Sequence, residues 1–462
     1  MNRLIVLPLI ILSSTTVLAL PSERDRVYTA DQNSNTVSVI DPGANMLLGQ
    51  IRLGNPRPDI LSPLYRGEVN VHGLGFSPDH RTLVAVSTVT NSVTFIDTAT
   101  NKVKGIAYIG RNPHEAFFTP DGKQVWATVR GEDYLSVLDP AALKETGRIA
   151  TTSGPGMVIF SKDGTRAFVC NSFNPVVEVI DVAKREIIKR IPVVSPFSPF
   201  IQVTPDGHEV WLTHKDVGKV TRIDTKTLEV KGTIDTGPIT NHLAFGQSGG
   251  QTLAYVTVGG ENTVKVFTME AVPKLVKSIP VGALPHGIWA SGDGSRVYVG
   301  LENGDAVDVI DTATNEAIAR VPVGQAPQAL VFVPDAAGEG DPRANLSPRP
   351  ARPETVNIAL KPSPGGEGAG FVVSRNVGLV DILEVTVSKL KPDTVYRVFL
   401  EGRSEPVAAL KTNPVGMGAV SAIGPTREIR PRTNAQAGAS TRVLVIEGEA
   451  VPMSSPPVLA GG

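Results

Sequence analysis

The chain has 462 residues and near-balanced charge, 44 Lys and Arg against 45 Asp and Glu, for a net charge of -1. That length exceeds a usual single domain, and without net positive charge there is no electrostatic pull toward a phosphate backbone, so no nucleic-acid partner is expected. The single cysteine, Cys170, excludes an internal disulfide, while 45 Gly and 37 Pro against 5% aromatic residues suit many short strands joined by tight turns.

The chain opens with Met1-Asn2-Arg3, an apolar run from Leu4 to Leu12, and a small-residue stretch ending Val17-Leu18-Ala19. This pattern predicts a secretory signal peptide over residues 1–19, cleaved near Ala19. The run is shorter than the ~20 apolar residues that span a bilayer, and Pro8 interrupts it, so no transmembrane segment is expected in the mature chain. The expected location is secreted, periplasmic or cell-surface.

From residue 24 onward three markers recur in a fixed order: a turn, a short apolar strand, and an alternating strand ending in an acid. The turns include Ser77-Pro78-Asp79-His80, Thr119-Pro120-Asp121-Gly122, Ser161-Lys162-Asp163-Gly164, Thr204-Pro205-Asp206-Gly207 and Ser291-Gly292-Asp293-Gly294. Proline and glycine suit type I turns there, and the acids are read as turn-formers rather than calcium ligands. The strand-ending acids are Asp41, Asp97, Asp139, Asp181, Asp224 and Asp311, with Thr268 standing where the sixth repeat should carry one. A period of about 42 residues is that of a four-stranded propeller blade. The first repeat lacks its opening strand, and Gln328-Ala329-Leu330-Val331-Phe332 near the end of the array has no blade of its own. Pairing the two closes a ring of seven blades and removes the exposed sheet edge.

Tyr255-Val256-Thr257-Val258, Val297-Tyr298-Val299 and Asn35-Thr36-Val37-Ser38-Val39-Ile40-Asp41 resemble the YVTN-family β-propeller repeat, as found in surface-layer and YncE-like propellers. The resemblance covers residues 24–336 and implies a seven-bladed β-propeller. It does not imply one function, because similar propellers serve as surface-layer proteins, binding proteins, lactone-hydrolysing enzymes and haem-binding domains.

Residues 337–353, rich in proline and glycine, read as a semi-extended linker. Residues 354–451 carry short alternating apolar runs without histidine or cysteine, so a small antiparallel β-sandwich serving as a docking module is expected. The tail, residues 452–462, is expected to be disordered. The fold class is therefore all-β throughout.

The residue opening each inner propeller strand is read from the period as His72, His114, Gly156, Phe200, His242, His286 and Gln328. Four of seven histidines thus share one equivalent position, at the mouth of the central channel on the face called the top. His214 belongs to a second-to-third strand loop of that face, and Arg111, Arg130, Glu115, Glu132, Asp133, Lys215 and Glu302 are neighbouring top-face groups. His72, His114, His242, His286, Gln328, Arg111, Arg130 and His214 are the candidate ligand-binding set. The four aligned histidines are also candidate ligands for a transition metal or haem. Against this stands a structural role, since the family repeat carries Pro-His-Gly at the same place, where the ring would hydrogen-bond the adjoining loop.

The wide step between Asp41 and Asp97 hides an insertion, Asn55 to Asn70 with Tyr65, Arg66 and Glu68, which reads as a lid or partner contact. Gly246-Gln247-Ser248-Gly249-Gly250 fits a nucleophile-elbow pattern but lies in a turn on the opposite face, without the strand-turn-helix setting the chemistry needs. No catalytic residue is assigned. The first reading is a binding protein for a protein or small-molecule ligand on the top face. The alternatives are a metal- or haem-dependent lactone hydrolase or oxidoreductase, and a cell-envelope structural protein.

Overall fold

A computed structural model describes residues 21–55, 67–351, 355–377, 380–424, 441–448 and 455–461. The expected signal peptide lies outside these residues, as does residues 56–66 of the insertion. No described helix is long and apolar enough to cross a membrane.

Seven four-stranded antiparallel sheets follow one another around a ring. In blade one, Pro327–Val333 is the inner strand, followed outward by Arg26–Asp31, Thr36–Asp41 and Met46–Arg52. Closure occurs as the repeat predicts, with Arg26 opposite Val333, Tyr28 opposite Val331 and Thr29 opposite Leu330.

The recurring residues have recurring tasks. Each strand-ending acid caps the hairpin that follows it: Asp139 Oδ1 accepts from the N–H groups of Ala141 at 2.8 Å and Ala142 at 3.0 Å, and Asp224 from Lys226 and Thr227. In blade six Thr268 substitutes, its Oγ1 accepting the N–H of Lys274 at 3.0 Å. The turn acids likewise accept hydroxyl and N–H donors of their own turn, as Asp121 does from Thr119 at 2.7 Å and Lys123 at 3.1 Å. An aromatic on the second strand of a blade packs on the inner strand of the next. Trp126 meets Phe160 at 5.1 Å, Trp211 meets Phe245 at 5.7 Å and Tyr298 meets Phe332 at 5.9 Å. These rings bury the contact between blades, where apolar area removed from water is the main stabilising contribution.

The C-terminal part is one eight-stranded antiparallel sheet, where a two-sheet sandwich was expected. Its order is Ala408–Lys411, Val395–Leu400, Val443–Glu447, Leu459–Gly461, Val356–Pro362, Ala369–Asn376, Asp381–Ser388 and Gly418–Gly424. The two edge strands lie against each other, so the sheet is nearly closed around a core of Ile358, Leu360, Val372, Leu383, Val385, Tyr396, Val398, Val445 and Leu459, with a second small cluster of Phe399, Leu444 and Ile446 on its other face. The tail expected to be disordered supplies one of these strands, because Leu459 fills the core and its neighbours pair on both sides.

The inner strand of blade one ends on the face opposite the channel mouth, yet the C-terminal sheet sits on the mouth side. The linker makes that crossing in contact with the propeller's flank. Asn345 donates to Thr100 O at 2.9 Å, Ser347 pairs with Gln50, Leu346 packs on the blade-one core, and Arg349 donates to Val323 O at 2.5 Å.

Candidate functional site

The inner strands of blades two, three, six and seven share an irregularity. Their register slips between Val71 and Leu74, Pro113 and Ala116, Thr240 and Leu243, and Pro285 and Ile288, in each case spanning the aligned histidine. A bulge interrupts strict alternation and re-aims the side chain it carries. The rings consequently meet in two pairs, each across a blade boundary. His72 and His114 lie 4.5 Å apart between ring centroids, His242 and His286 4.7 Å, and Phe200 stacks on His242 at 4.2 Å.

Each blade orients its neighbour's ring. His114 Nδ1 sits 2.8 Å from Gly156 O and His286 Nδ1 2.9 Å from Gln328 O, so in both the Nδ1 carries the proton and donates. His72 Nδ1 is 3.0 Å from Gln32 Oε1, which fixes the same tautomer. In all three rings Nε2 is left with its lone pair. Burial, ahead of nearby charge, holds His72, His114 and His242 well below the usual imidazole range and brings His286 down to about 4. The rings are therefore neutral at physiological pH.

Glu115 follows His114 directly, yet His72, His114 and Glu115 each offer a ligand atom within 4.8 Å of the others. Gly73 permits this approach, since a Cβ there would lie 2.6 Å from Glu115 Oε2. Burial pushes the Glu115 carboxyl up to about 8, against the N–H of Leu74 and the charge of Arg130. Arg130 makes no hydrogen bond or ion pair among the described residues, and burial lowers its guanidinium. Lys215 is likewise lowered by burial, partly countered by Glu302. Burial pushes Glu302 up, but His286 and Lys215 outweigh it and leave the carboxyl below its ordinary value.

Other candidates lie elsewhere. Both ring nitrogens of His214 are engaged, Nδ1 with Ser198 Oγ at 3.0 Å and Nε2 with Thr221 Oγ1 at 2.7 Å. Arg111 is an exposed rim residue paired with Glu132 at 3.4 Å. Gln328 is buried at the mouth and supplies the carbonyl that orients His286. The stem of the insertion is built inward: Glu68 is buried and accepts from Thr90 Oγ1 at 2.6 Å and from Ser92. Tyr65 and Arg66 lie outside the described residues.

The C-terminal sheet covers the top face over blade seven. Arg375, fully buried, donates to Asn303 Oδ1 at 3.0 Å, to Asp305 Oδ1 at 3.3 Å, and to Glu302 O and Glu384. Asn357 donates to Asn303 O at 2.7 Å and Gln325 to Asn376 O at 3.0 Å. Beside this contact an open cleft of about 550 Å³ is lined by Phe197, Lys215, Asp216, Ile239, Leu284 and Glu302 of the propeller and by Phe371, Glu384, Val385, Met417 and Val420 of the C-terminal sheet. Sequence reasoning identified Lys215 and Glu302, but no periodicity marks the residues of the cap.

A single ion suits the donors of His72, His114 and Glu115. A porphyrin does not fit between the paired rings, whose centroids lie 4.5 Å and 4.7 Å apart.

Residues 125–320 match the model of the YNCE-like beta-propeller family. Two curated relatives, both titled "Uncharacterized protein YncE" and from Salmonella typhi and Salmonella typhimurium, are 36% identical over 98 residues, 21% of this chain and 27% of theirs. The chain thus spans about a quarter of the length of these relatives. Among solved structures, the Pseudomonas aeruginosa periplasmic gluconolactonase PpgL superposes with a TM-score of 0.54 at 18% identity, covering 67% of this chain and 99% of that one. Kuenenia stuttgartiensis hydrazine synthase gives 0.53 at 21%, covering 60% and 94%, and the dihydro-heme d1 dehydrogenase NirN 0.50 at 15%, covering 87% and 75%. At such identities these likenesses concern the fold. The repeat, the closed ring of seven blades and the match over residues 125–320 together show a seven-bladed propeller that is similar to the YNCE-like beta-propeller family.

Proposed function

We propose that this chain is an exported binding protein that holds a small molecule with an apolar body and an anionic head between the top face of the propeller and the C-terminal cap. The observation that carries the reading is the cavity itself, of about 550 Å³, with walls from both parts of the chain and Lys215 among them. Its size suits a small ligand, and its makeup of apolar side chains with a few polar groups is that of a ligand pocket. Phe371, Val385, Met417 and Val420 supply an apolar surface, and the Lys215 ammonium, drawn out of water, supplies the positive charge for a carboxylate or phosphate, beside the carboxyls of Asp216, Glu302 and Glu384, of which burial pushes that of Glu384 up toward its neutral form. Export rests on the leader-like residues 1–19.

The test is binding of paired ligands, aromatic and aliphatic carboxylic acids against their methyl esters, by calorimetry on the full chain. Acids should bind and esters should not, with the preference abolished by Lys215→Met. Equal affinity for acid and ester, or an unchanged preference in Lys215→Met, would overturn the reading.

A metal-dependent enzyme is the second reading. It is favoured by the free Nε2 lone pairs of His72 and His114 beside Glu115.

A further inference from the structure

We propose that His72, His114 and Glu115 form a binding site for a divalent first-row transition-metal ion at the channel mouth, with coordination positions left open toward the top face. The inference stands on its own geometry and does not depend on a ligand in the cavity.

Three features point to a built site. First, the donor atoms of the three side chains all lie within 4.8 Å of one another. Ion–donor distances of about 2.0–2.2 Å place tetrahedral donors roughly 3.4 Å apart, so side-chain rotations of about an ångström complete the site. Second, both imidazoles have Nδ1 held by an oxygen acceptor, Gln32 Oε1 at 3.0 Å and Gly156 O at 2.8 Å. That leaves the Nε2 lone pair as the donor of each ring, and an oriented outer acceptor of this kind accompanies almost every metal-binding histidine. Third, consecutive residues of a regular strand point to opposite faces, yet His114 and Glu115 converge. The register slip between Pro113 and Ala116 and the missing side chain at Gly73 are what bring them together.

Two histidines and one carboxylate are a ligand set that zinc and non-haem iron both accept, and three protein donors leave room for water or a substrate oxygen. His242 and His286 do not belong to the set. They pair with each other three blades further round the ring, and His286 is oriented by Gln328. Arg130, whose charge reaches Glu115, opposes a bare cation but suits an anion bound to that cation, so the ion and Arg130 would together favour an anionic ligand over the mouth.

The experiment titrates Co²⁺, Zn²⁺, Fe²⁺ and Mg²⁺ into chelator-stripped full-length chain without an affinity tag. Co²⁺ absorbance reads coordination number, and calorimetry reads stoichiometry and affinity. One equivalent of Co²⁺ or Zn²⁺ should bind, with Mg²⁺ much weaker, and Fe²⁺ against Zn²⁺ affinity separates the two candidate ions. His114→Gln and Glu115→Gln should each weaken binding at least about tenfold, while His242→Gln leaves it unchanged. Because His114→Gln removes the bond to Gly156 and can disturb folding, Glu115→Gln, nearly isosteric, is the deciding variant. Its ion-free melting temperature is measured alongside. Less than one equivalent bound by the wild-type chain, equal loss in His242→Gln, or full affinity in a folded Glu115→Gln chain would overturn the assignment.

Discussion

Replacing Arg375 by methionine is predicted to release the cap from the propeller. The guanidinium is fully buried and reaches four oxygen-bearing groups, three of them, at Glu302, Asn303 and Asp305, on the propeller and one, at Glu384, in its own sheet. Methionine fills much of the volume but leaves the Asp305 and Glu384 carboxyls facing each other without a cation. Removing one partner of a buried ion pair costs about 3–5 kcal/mol, because the remaining charge stays out of water. Most of these contacts cross between the two parts, so the loss falls on docking and lowers the docked-to-undocked ratio by roughly two to more than three orders of magnitude. The propeller's own sheets are untouched. Hydrogen exchange should therefore show faster exchange of the side-chain amides of Asn357 and Gln325, which donate across the contact, with unchanged backbone protection of Arg26–Asp31. Adding Glu384→Gln removes one stranded charge and should recover part of the loss. Unchanged exchange at the contact in Arg375→Met would refute the argument. So would a loss of equal size spread over every blade.

Two further predictions concern residues that shape the ring. Burial, against hydroxyl donors from Ser38, Thr29 and Thr36, pushes the Asp31 carboxyl up from 3.8 to about 7. The folded state thus holds this proton more tightly than the unfolded chain. The stabilisation is complete below about pH 4 and is lost as pH rises through about 7, by at most about 4 kcal/mol. Denaturant midpoints at about pH 5 and about pH 8 should differ less in Asp31→Asn than in the wild type, and identical slopes would count against the assignment. At Gly73 a Cβ would lie 2.3 Å from His114 O and 2.6 Å from Glu115 Oε2, so Gly73→Ala should cost about 1–3 kcal/mol and shift the imidazole resonances of His72 and His114. Gly292→Ala, where the nearest atom is 3.5 Å away, should be close to neutral by comparison; similar melting temperatures for the two would contradict the steric account.

The ring could be read from the sequence because each recurring residue has a local task that only a few residue types perform. Asp139 and Asp224 cap their hairpins within three residues, and Thr119 with Asp121 closes a turn on itself. Such contacts leave a mark at a fixed spacing. Even the exception in blade six keeps the task, since the Thr268 hydroxyl does what the carboxylates do elsewhere. The alignment of His72, His114, His242 and His286 was visible for the same reason. What spacing could not supply was the bulge that turns these rings toward one another, because a register slip adds no new residue type.

The C-terminal sheet was harder for a physical reason. Asp381–Ser388 alternates buried and half-buried positions, and that pattern is the same whether the buried side faces a second sheet or the inside of a nearly closed one. Closure depends on pairing between strands far apart in sequence, such as Val356–Pro362 with Leu459–Gly461, and three residues cannot display a period. Docking is less visible still. Arg375 is one basic residue in an apolar strand, and its propeller partners stand about 70 positions earlier. A buried charge is tolerated only where another chain segment neutralises it, so a lone Arg within Ala369–Asn376 was the one available sign that this strand meets an acidic surface. The carboxyls of Glu302 and Asp305, assembled at the top of blade seven by the loop before Ala306–Asp311, are that surface. The same loop that helps wall the cavity therefore also anchors its cover, and a ligand touching Glu302 would bear on cap and propeller at once.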